Sequence, residues 1–278
     1  MTAQHELRFG PRLIATATGK LRAAVLLKPS ASIERATPLN AEPGAVYERA
    51  IEQHDTFRKT LEYFGAETVV LEARGDDPYE AAVGDAAVAF GDGAALMRLT
   101  QMSRRGEVDR MESNFASLDV PLAGHIEPPG LLDGNDVVLA GETAFIGIGA
   151  RGNELGRDGF AQLARSHGYR VVPVTLAPGV PALRAVLSAV SKDTVVVGGD
   201  KVDRTALDGF RTIVLERGEE QGAGVFCLDD HHVLADIRYR TALQAMRQAG
   251  IAVEAIDLYE FTKLGLTPSM LALALRRE

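Results

Sequence analysis

The stretch Gly130–Gly156, GLLDGNDVVLAGETAFIGIGARGNELG, decides the fold. It reads as strand, tight turn, strand, glycine-rich bend and helix start. Val137–Ala140 and Thr143–Ile148 are apolar and partly β-branched, as buried strands require, and Gly141-Glu142 is short enough to turn a hairpin between them. Asp133 and Asp136 precede the first strand; Arg151 and Asn153 follow the second. A hairpin brings its ends together, so two carboxylates should face an arginine on one rim, a place where ligands bind.

Working outward, the acid–strand–turn pattern recurs. Asp85 opens DAAVAFGDGAALMRL, Asp193 opens DTVVVGGDKVD, and Gly224–Ala235 (GVFCLDDHHVLA) is a weaker copy with its turn at Asp229–His232. Amphipathic segments separate the copies: Glu107–Leu118, Glu154–His167, Val180–Val190 and Tyr239–Ala249. Strands are expected at Arg170–Val174, Thr212–Leu215 and Ala252–Ile256. At the N-terminal end, Leu21–Lys28 and Glu67–Leu71 read as strands around a helix over Tyr47–Phe64 that Gly65 stops, with a polar loop over Glu72–Tyr79. Repeats of this length indicate an array or propeller, and about five hairpin–helix–strand units fit the chain. With no composition break, residues 1–278 are expected to form one α/β domain, a five-fold pseudo-symmetric propeller of ββαβ units.

Composition narrows the function. The chain has 278 residues, 46% hydrophobic and 24% charged, with net charge −8 and pI near 5.4. This argues against nonspecific nucleic-acid or anionic-membrane binding. No apolar run has the length of a membrane span, and the start, MTAQHELRFGPRL, lacks the apolar core of a secretory signal. The expected location is the cytoplasm; a homo-oligomer is left open. Cys227 is the only cysteine, inside the apolar VFCL. It reads as a small buried hydrophobe.

Gly147, Gly149 and Gly152 match G-x-G-x-x-G between strand and helix, but the next strand ends without an acid for a ribose, and Arg151 would intrude on the phosphates. A dinucleotide oxidoreductase is therefore the weaker alternative, and no cofactor is expected. Asp229, Asp230, His231 and His232 alternate in direction and fall at a turn, so no metal site is expected. His54 lies on a helix's apolar face and His167 at a helix end, which leaves His125 as the histidine with some reach toward a pocket. Arg104 and Arg105, in SRRGE, read either as a solvated turn or as anion-recognising guanidinium groups.

Together, GDAAV (Gly84–Val88), SRRGE (Ser103–Glu107), LLDGNDVVL (Leu131–Leu139) and ARGNELG (Ala150–Gly156) resemble, in order and spacing, motifs of the dimethylarginine dimethylaminohydrolases. These belong to the guanidine-modifying superfamily with arginine deiminases and amidinotransferases. The resemblance, spanning about Leu21–Leu275, implies the five-fold α/β propeller known as a pentein and a small amino-acid or guanidino ligand in its central channel. It implies that Asp85 contacts the guanidino group, that Arg104 and Arg151 hold the ligand carboxylate, and that Asp133 is the acid that orients a catalytic histidine. Tyr79, beside Glu80, stands where the family has a further guanidinium-binding aspartate, and Gly84 where it has a glutamate; Asn153 joins the candidate ligand contacts.

The family's cysteine nucleophile and histidine have no counterpart here. The cysteine region is Pro268–Met270, within Leu266-Thr-Pro-Ser-Met, and the histidine position is Ala182 in Ala182-Leu183-Arg184. A thiolate that attacks the guanidinium carbon and a histidine that protonates the leaving amine are both missing, and Ser269 has no adjacent base. Two readings follow. One is an enzyme, a hydrolase or lyase acting on C–N bonds of an arginine-like substrate without a covalent thiol intermediate, resting on Asp133, Asp85, Tyr79 and His125. The other is a non-catalytic binding or regulatory homologue, which needs only the two arginines and Asp85.

Overall fold

The computed structural model describes residues 7–75 and 77–278. Residues 1–6, part of the stretch read as lacking a secretory signal, and residue 76 in the polar loop fall outside it. Among the described residues no helix is long and apolar enough to cross a membrane.

In chain order the elements are β1 (Leu21–Lys28), α1 (Tyr47–Tyr63), β2 (Glu67–Glu72), β3 (Ala87–Phe90), β4 (Gly93–Leu96), α2 (Gly106–Ser117), β5 (Leu122–His125), β6 (Val137–Ala140), β7 (Thr143–Ile148), α3 (Glu154–Ser166), β8 (Arg170–Thr175), β9 (Leu187–Ala189), β10 (Thr194–Val197), β11 (Arg211–Val214), β12 (Phe226–Asp229), β13 (His232–Asp236), α4 (Arg240–Gln248), β14 (Ala252–Ile256), α5 (Tyr259–Thr262) and β15 (Ala272–Arg277). They form five three-stranded sheets, β3-β4-β5, β6-β7-β8, β9-β10-β11, β12-β13-β14 and β15-β1-β2. In each, the first strand pairs antiparallel with the second and the second parallel with the third. The last sheet joins the two ends of the chain: β15 pairs with β1 from Leu21–Arg277 to Leu26–Ala272, so the ring closes through the C-terminal strand. The first strands of all five sheets line one axial cavity. The architecture is the five-fold α/β propeller expected from the repeat.

First strands are mostly apolar, like the fully buried β3 (AVAF), because they face neighbouring units on both sides; Ser188 in β9 and Arg277 at the end of β15 are buried exceptions. Third strands are outermost and alternate, covered on one face by the helices. α1, for example, lays Ala50, His54, Phe57 and Leu61 against its sheet.

Each first strand is preceded by a single 3-10 helical turn: Val83–Asp85, Gly134–Asp136, Leu183–Ala185, Glu220–Ala223 and Pro268–Met270. These five turns pack against one another across the axis. Gly134 lies so close to the Gly84 carbonyl that any Cβ there would overlap it. The turns are also cross-bonded: Leu183 N donates to Asp136 Oδ1 (2.8 Å), Ser269 N to the Gly224 carbonyl (3.1 Å) and Ser269 Oγ to the Arg184 carbonyl (2.8 Å).

One unit departs from the expected frame. Val180–Val190, expected as an amphipathic segment between hairpins, contains the third 3-10 turn and β9. It is mostly buried, and a short, largely apolar run does not distinguish helix from strand by periodicity. Asp193 therefore does not open a hairpin; it sits in the turn between β9 and β10, where Oδ1 accepts from the Ser191 and Thr194 hydroxyls. This unit also replaces the helix between its second and third strands with a 3-10 turn, Arg204–Leu207.

The ARGNELG motif has a structural meaning. Asn153 Oδ1 accepts from Gly156 N, capping α3, and from Leu131 N, both at 2.9 Å, while Nδ2 donates to the Pro129 carbonyl. Gly156 presses against the Leu131 backbone, leaving no room for a Cβ. Asn153→Ala should cost at least about 1 kcal/mol through the lost cap. Gly156→Ala, although it raises helix propensity, should destabilise more than Gly159→Ala in the same helix, where the space is open to within ordinary contact of Ile126. Urea unfolding of the three variants tests this order.

Candidate functional site

The acids and arginines singled out in the sequence converge beside the first two turns. Asp85, the last residue of its turn, is fully buried. Its Oδ2 accepts from Arg104 Nη1 at 2.7 Å and from Arg151 Nη1 at 3.2 Å. Arg151 Nη1 is also 3.2 Å from Asp133 Oδ2. Asp133 begins the second turn, and its Oδ1 takes the Thr100 amide at 2.7 Å and the Thr100 hydroxyl at 3.1 Å. The Asp133 amide in turn donates to the Arg151 carbonyl, which fixes the two ends of the β6–β7 hairpin to each other. Three sequence segments thus meet around two guanidinium groups.

The two arginines differ in their surroundings. Arg104 is 2% exposed; Nε and Nη2 form a bidentate pair with Glu107 at 2.7 and 2.8 Å, and Asp77 Oδ1 lies 3.8 Å from Nε. Three of its donors are spent inside the protein. It was expected to present its guanidinium to a ligand carboxylate beside Arg151; instead it lies behind Asp85 as a structural counter-charge. Arg151 keeps 23% of its side chain exposed and is the open member of the cluster.

Burial alone would raise the Asp85 pKa, but the charges of Arg151 and Arg104 outweigh it and hold the carboxyl below its ordinary value. Asp133 is pushed up to about 6, first by burial and then by the charge of Asp85, against the Thr100 bonds and Arg151. Asp136 is also pushed up to about 6 by burial; its Oδ1 takes the Leu183 amide, while Oδ2 has no partner among the described residues. The Asn135 amide between them is likewise buried without a partner among the described residues. Burial raises Glu107 despite its pairing with Arg104.

The other candidates lie elsewhere. The Tyr79 hydroxyl is at the Thr37 backbone (3.3 Å to N, 3.4 Å to O), tying down the loop before α1. Asn153 spends its amide on the cap described above. His125 is 57% exposed on an outer strand beside Glu127, away from the cluster. Ala182 and Thr267 begin the third and fifth turns. Ser269 Oγ is bonded to the Arg184 carbonyl and, at 3.0 Å, to Thr267 Oγ1, with no base on it. The Cys227 thiol is buried and pushed up to about 11, the wrong direction for a nucleophile. His232 pairs with Glu254 at 3.0 Å, while His231 sits in the exposed turn.

Asp77, Thr100 and Glu107 were not singled out in the sequence. The Arg104/Glu107 spacing of three on a helix start is a signal that could have found Glu107. Nothing local marks Asp77 or Thr100, which reach the cluster only through the fold.

Arg104→Ala would strand Asp85 and Glu107 in the interior and should cost about 3–5 kcal/mol in denaturant unfolding, with Arg104→Lys only partly restorative because the bidentate pair is lost. A carboxyl whose pKa rises on folding binds more protons in the native state, so it destabilises the fold as pH climbs from about 4 through 6. Two pKa units correspond to at most about 3 kcal/mol. Asp136→Asn, which keeps the acceptor for Leu183, should therefore show a smaller loss of stability between pH 4 and pH 7 than the parent and be at least as stable at pH 7. Thermal unfolding across that range measures both.

No family model matches the chain. The dimethylarginine dimethylaminohydrolase of Streptomyces coelicolor is 29% identical over 227 residues, covering 82% of this chain and 86% of the relative. Among solved structures, the dimethylarginine dimethylaminohydrolase of Pseudomonas aeruginosa, a cysteine-to-serine variant complexed with citrulline, superposes with a TM-score of 0.84 at 21% identity, covering 91% of this chain and 99% of that one. An amidinotransferase of the saxitoxin pathway from Microseira wollei gives a TM-score of 0.81 at 13% identity over 96% and 98% of the two chains. The five-unit ring, the clustered acids and arginines and these comparisons agree on one conclusion: the chain has the pentein fold, and the proteins it resembles are dimethylarginine dimethylaminohydrolases and amidinotransferases.

Proposed function

We propose that the protein binds a small amino acid carrying a guanidino or related group at the Asp85–Asp133–Arg151 cluster in its central channel, without thiol-based hydrolysis. The observation that carries this reading is the position of the Arg151 guanidinium, 3.2 Å from both Asp85 and Asp133 and partly open to solvent. A place that holds one guanidinium between two dry carboxylates suits a ligand's guanidinium equally well. On binding, such a ligand displaces Arg151 from the acids, and the freed side chain meets the ligand's carboxylate through charge-assisted hydrogen bonds. Citrulline in the Pseudomonas relative is a ligand of the same class.

A Cys-independent reaction is the second reading, favoured by Asp133. With a pKa near 6 it exchanges a proton close to neutrality, as a general acid or base at a C–N bond must. Loss of the standard chemistry is supported by the absence of a cysteine from Pro268–Met270 and of a histidine at Ala182, the stretches that match the family's cysteine and histidine positions, and by the inert settings of Ser269 and Cys227.

Calorimetric titration with L-arginine, a methylarginine and methylguanidine, alongside a citrulline assay, tests both readings. No citrulline should form; turnover abolished by alkylating Cys227 would overturn that expectation. Arg151→Ala should weaken arginine binding at least about tenfold, the loss of one or two charged hydrogen bonds of about 1.5–3 kcal/mol each, and Arg151→Lys should rescue it in part. Methylguanidine has no carboxylate for Arg151 to hold, so it should bind Arg151→Ala as tightly as the parent or more so. Arginine binding unchanged by Arg151→Ala would refute the assignment.

A further inference from the structure

Inside the ring, next to the 3-10 turns, the five first strands line a part-open cavity of about 100 Å³. At roughly 10–15 Å³ per water-sized position it has room for several waters or a tetrahedral anion. None of Asp85, Arg104, Asp133 and Arg151 lines it. Two other arginines do: Arg184, in the third turn, and Arg277, at the end of β15.

Neither guanidinium has a carboxylate within 4.0 Å among the described residues; Asp85 acts on Arg184, and Asp229 on Arg277, from farther away. Arg277 is 5% exposed, and its Nη1 and Nη2 donate to the carbonyls of Gly19 (2.9 Å) and Cys227 (2.7 Å). Arg184 Nε donates to the Val137 carbonyl (2.8 Å) and Nη1 to the Ser269 carbonyl (3.4 Å). Each guanidinium has five N–H donors, so most remain unspent. The two cations also repel each other, and burial with that repulsion lowers Arg184 to about 10, even with Asp85 acting the other way. Ser188 Oγ lines the same cavity, buried and without a partner among the described residues. A buried cation, a half-buried one and a buried hydroxyl lining one small cavity form an arrangement that desolvation penalises and an anion relieves.

We propose that this axial cavity is a binding site for a small inorganic oxyanion of the phosphate or sulfate type, held by Arg184 and Arg277 with the Ser188 hydroxyl as a third donor. Oxyanions fit better than halides because the guanidinium fork matches paired oxygens. The site is separate from the proposed guanidino site in its residues and in the sign of its charge. An anion here bridges the third unit to the C-terminal strand that closes the ring, so binding stabilises the closed fold by mass action.

The test is the thermal unfolding midpoint of the full chain against inorganic phosphate, with potassium chloride at matched ionic strength and pH, and anomalous scattering from selenate-soaked crystals. The midpoint should rise saturably with phosphate and not with chloride, and selenium should lie between Arg184 and Arg277. Arg184→Lys and Arg277→Lys should each raise the half-saturating phosphate concentration at least tenfold, and Ser188→Ala two- to fivefold. Exposed Arg217→Ala should leave it unchanged. Should Arg277→Lys fail to fold, Arg184→Lys, Ser188→Ala and the selenate position decide the matter. An equal chloride response, an absent phosphate response, selenate bound elsewhere, or Arg184→Lys matching the parent would overturn the proposal. Arg151→Ala should keep the full phosphate response, so failure of the guanidino reading is told apart from failure of this one.

Discussion

The Asp85 carboxylate, sealed from solvent and shared by the guanidinium groups of Arg104 and Arg151, is the interaction on which the functional face depends. A buried charge survives only when its partners return what desolvation takes away, and here two partners from different units do so. Arg104 reaches Asp85 from the turn just before α2, and Arg151 from the bend before α3. The contact therefore fixes the first turn, the α2 entry and the second hairpin relative to one another. Glu107 and Asp77 then balance the second positive charge, so the cluster extends outward from the buried Arg104 as a connected network.

That network leaves a residue of unfavourable electrostatics at two places. Asp133 and Asp136 are held near pKa 6 by burial, and Asp136 keeps one oxygen without a partner among the described residues. Groups kept in costly states beside a partly open guanidinium are the arrangement found where proteins bind ligands or move protons. Burial alone makes each of these acids a cost to the fold at neutral pH, set against the Thr100 and Arg151 bonds to Asp133 and the Leu183 amide on Asp136.

Pseudo-symmetry explains how one scaffold carries two unlike clusters of charge. The five 3-10 turns occupy equivalent positions, yet their last residues are Asp85, Asp136, Ala185, Ala223 and Met270. An acid at this last position is confined to two neighbouring units, which gathers the carboxylates at the first two turns. The third unit, with Arg184 where the first has Gly84, instead turns a cation toward the axial cavity. The backbone repeats; the side chains at the repeated positions differentiate the ring.

Much of this was legible in the order of residues. The bounds of β1, β6, β7 and β14 follow from apolar runs closed by turn residues, and the repeated acid–strand–turn pattern is enough to count five units. The motifs around Asp85, Arg104, Asp133 and Arg151 could be marked as belonging together. Other features were not legible. The largely apolar Leu183–Val190, interrupted only by Arg184 and Ser188, carries no periodicity to separate strand from helix, so the frame of the third unit slipped by one strand. Arg104 and Arg151 look alike in sequence, yet one is buried as a counter-charge and the other stays open. Asp77, Thr100 and the pairing of Arg184 with Arg277 around one cavity have no local mark at all. Local pattern determines which segments become strands and turns because propensity and burial act over a few residues. Which charges end up dry, paired or facing a cavity depends on contacts made only when β15 closes the ring, and the tertiary structure alone decides that.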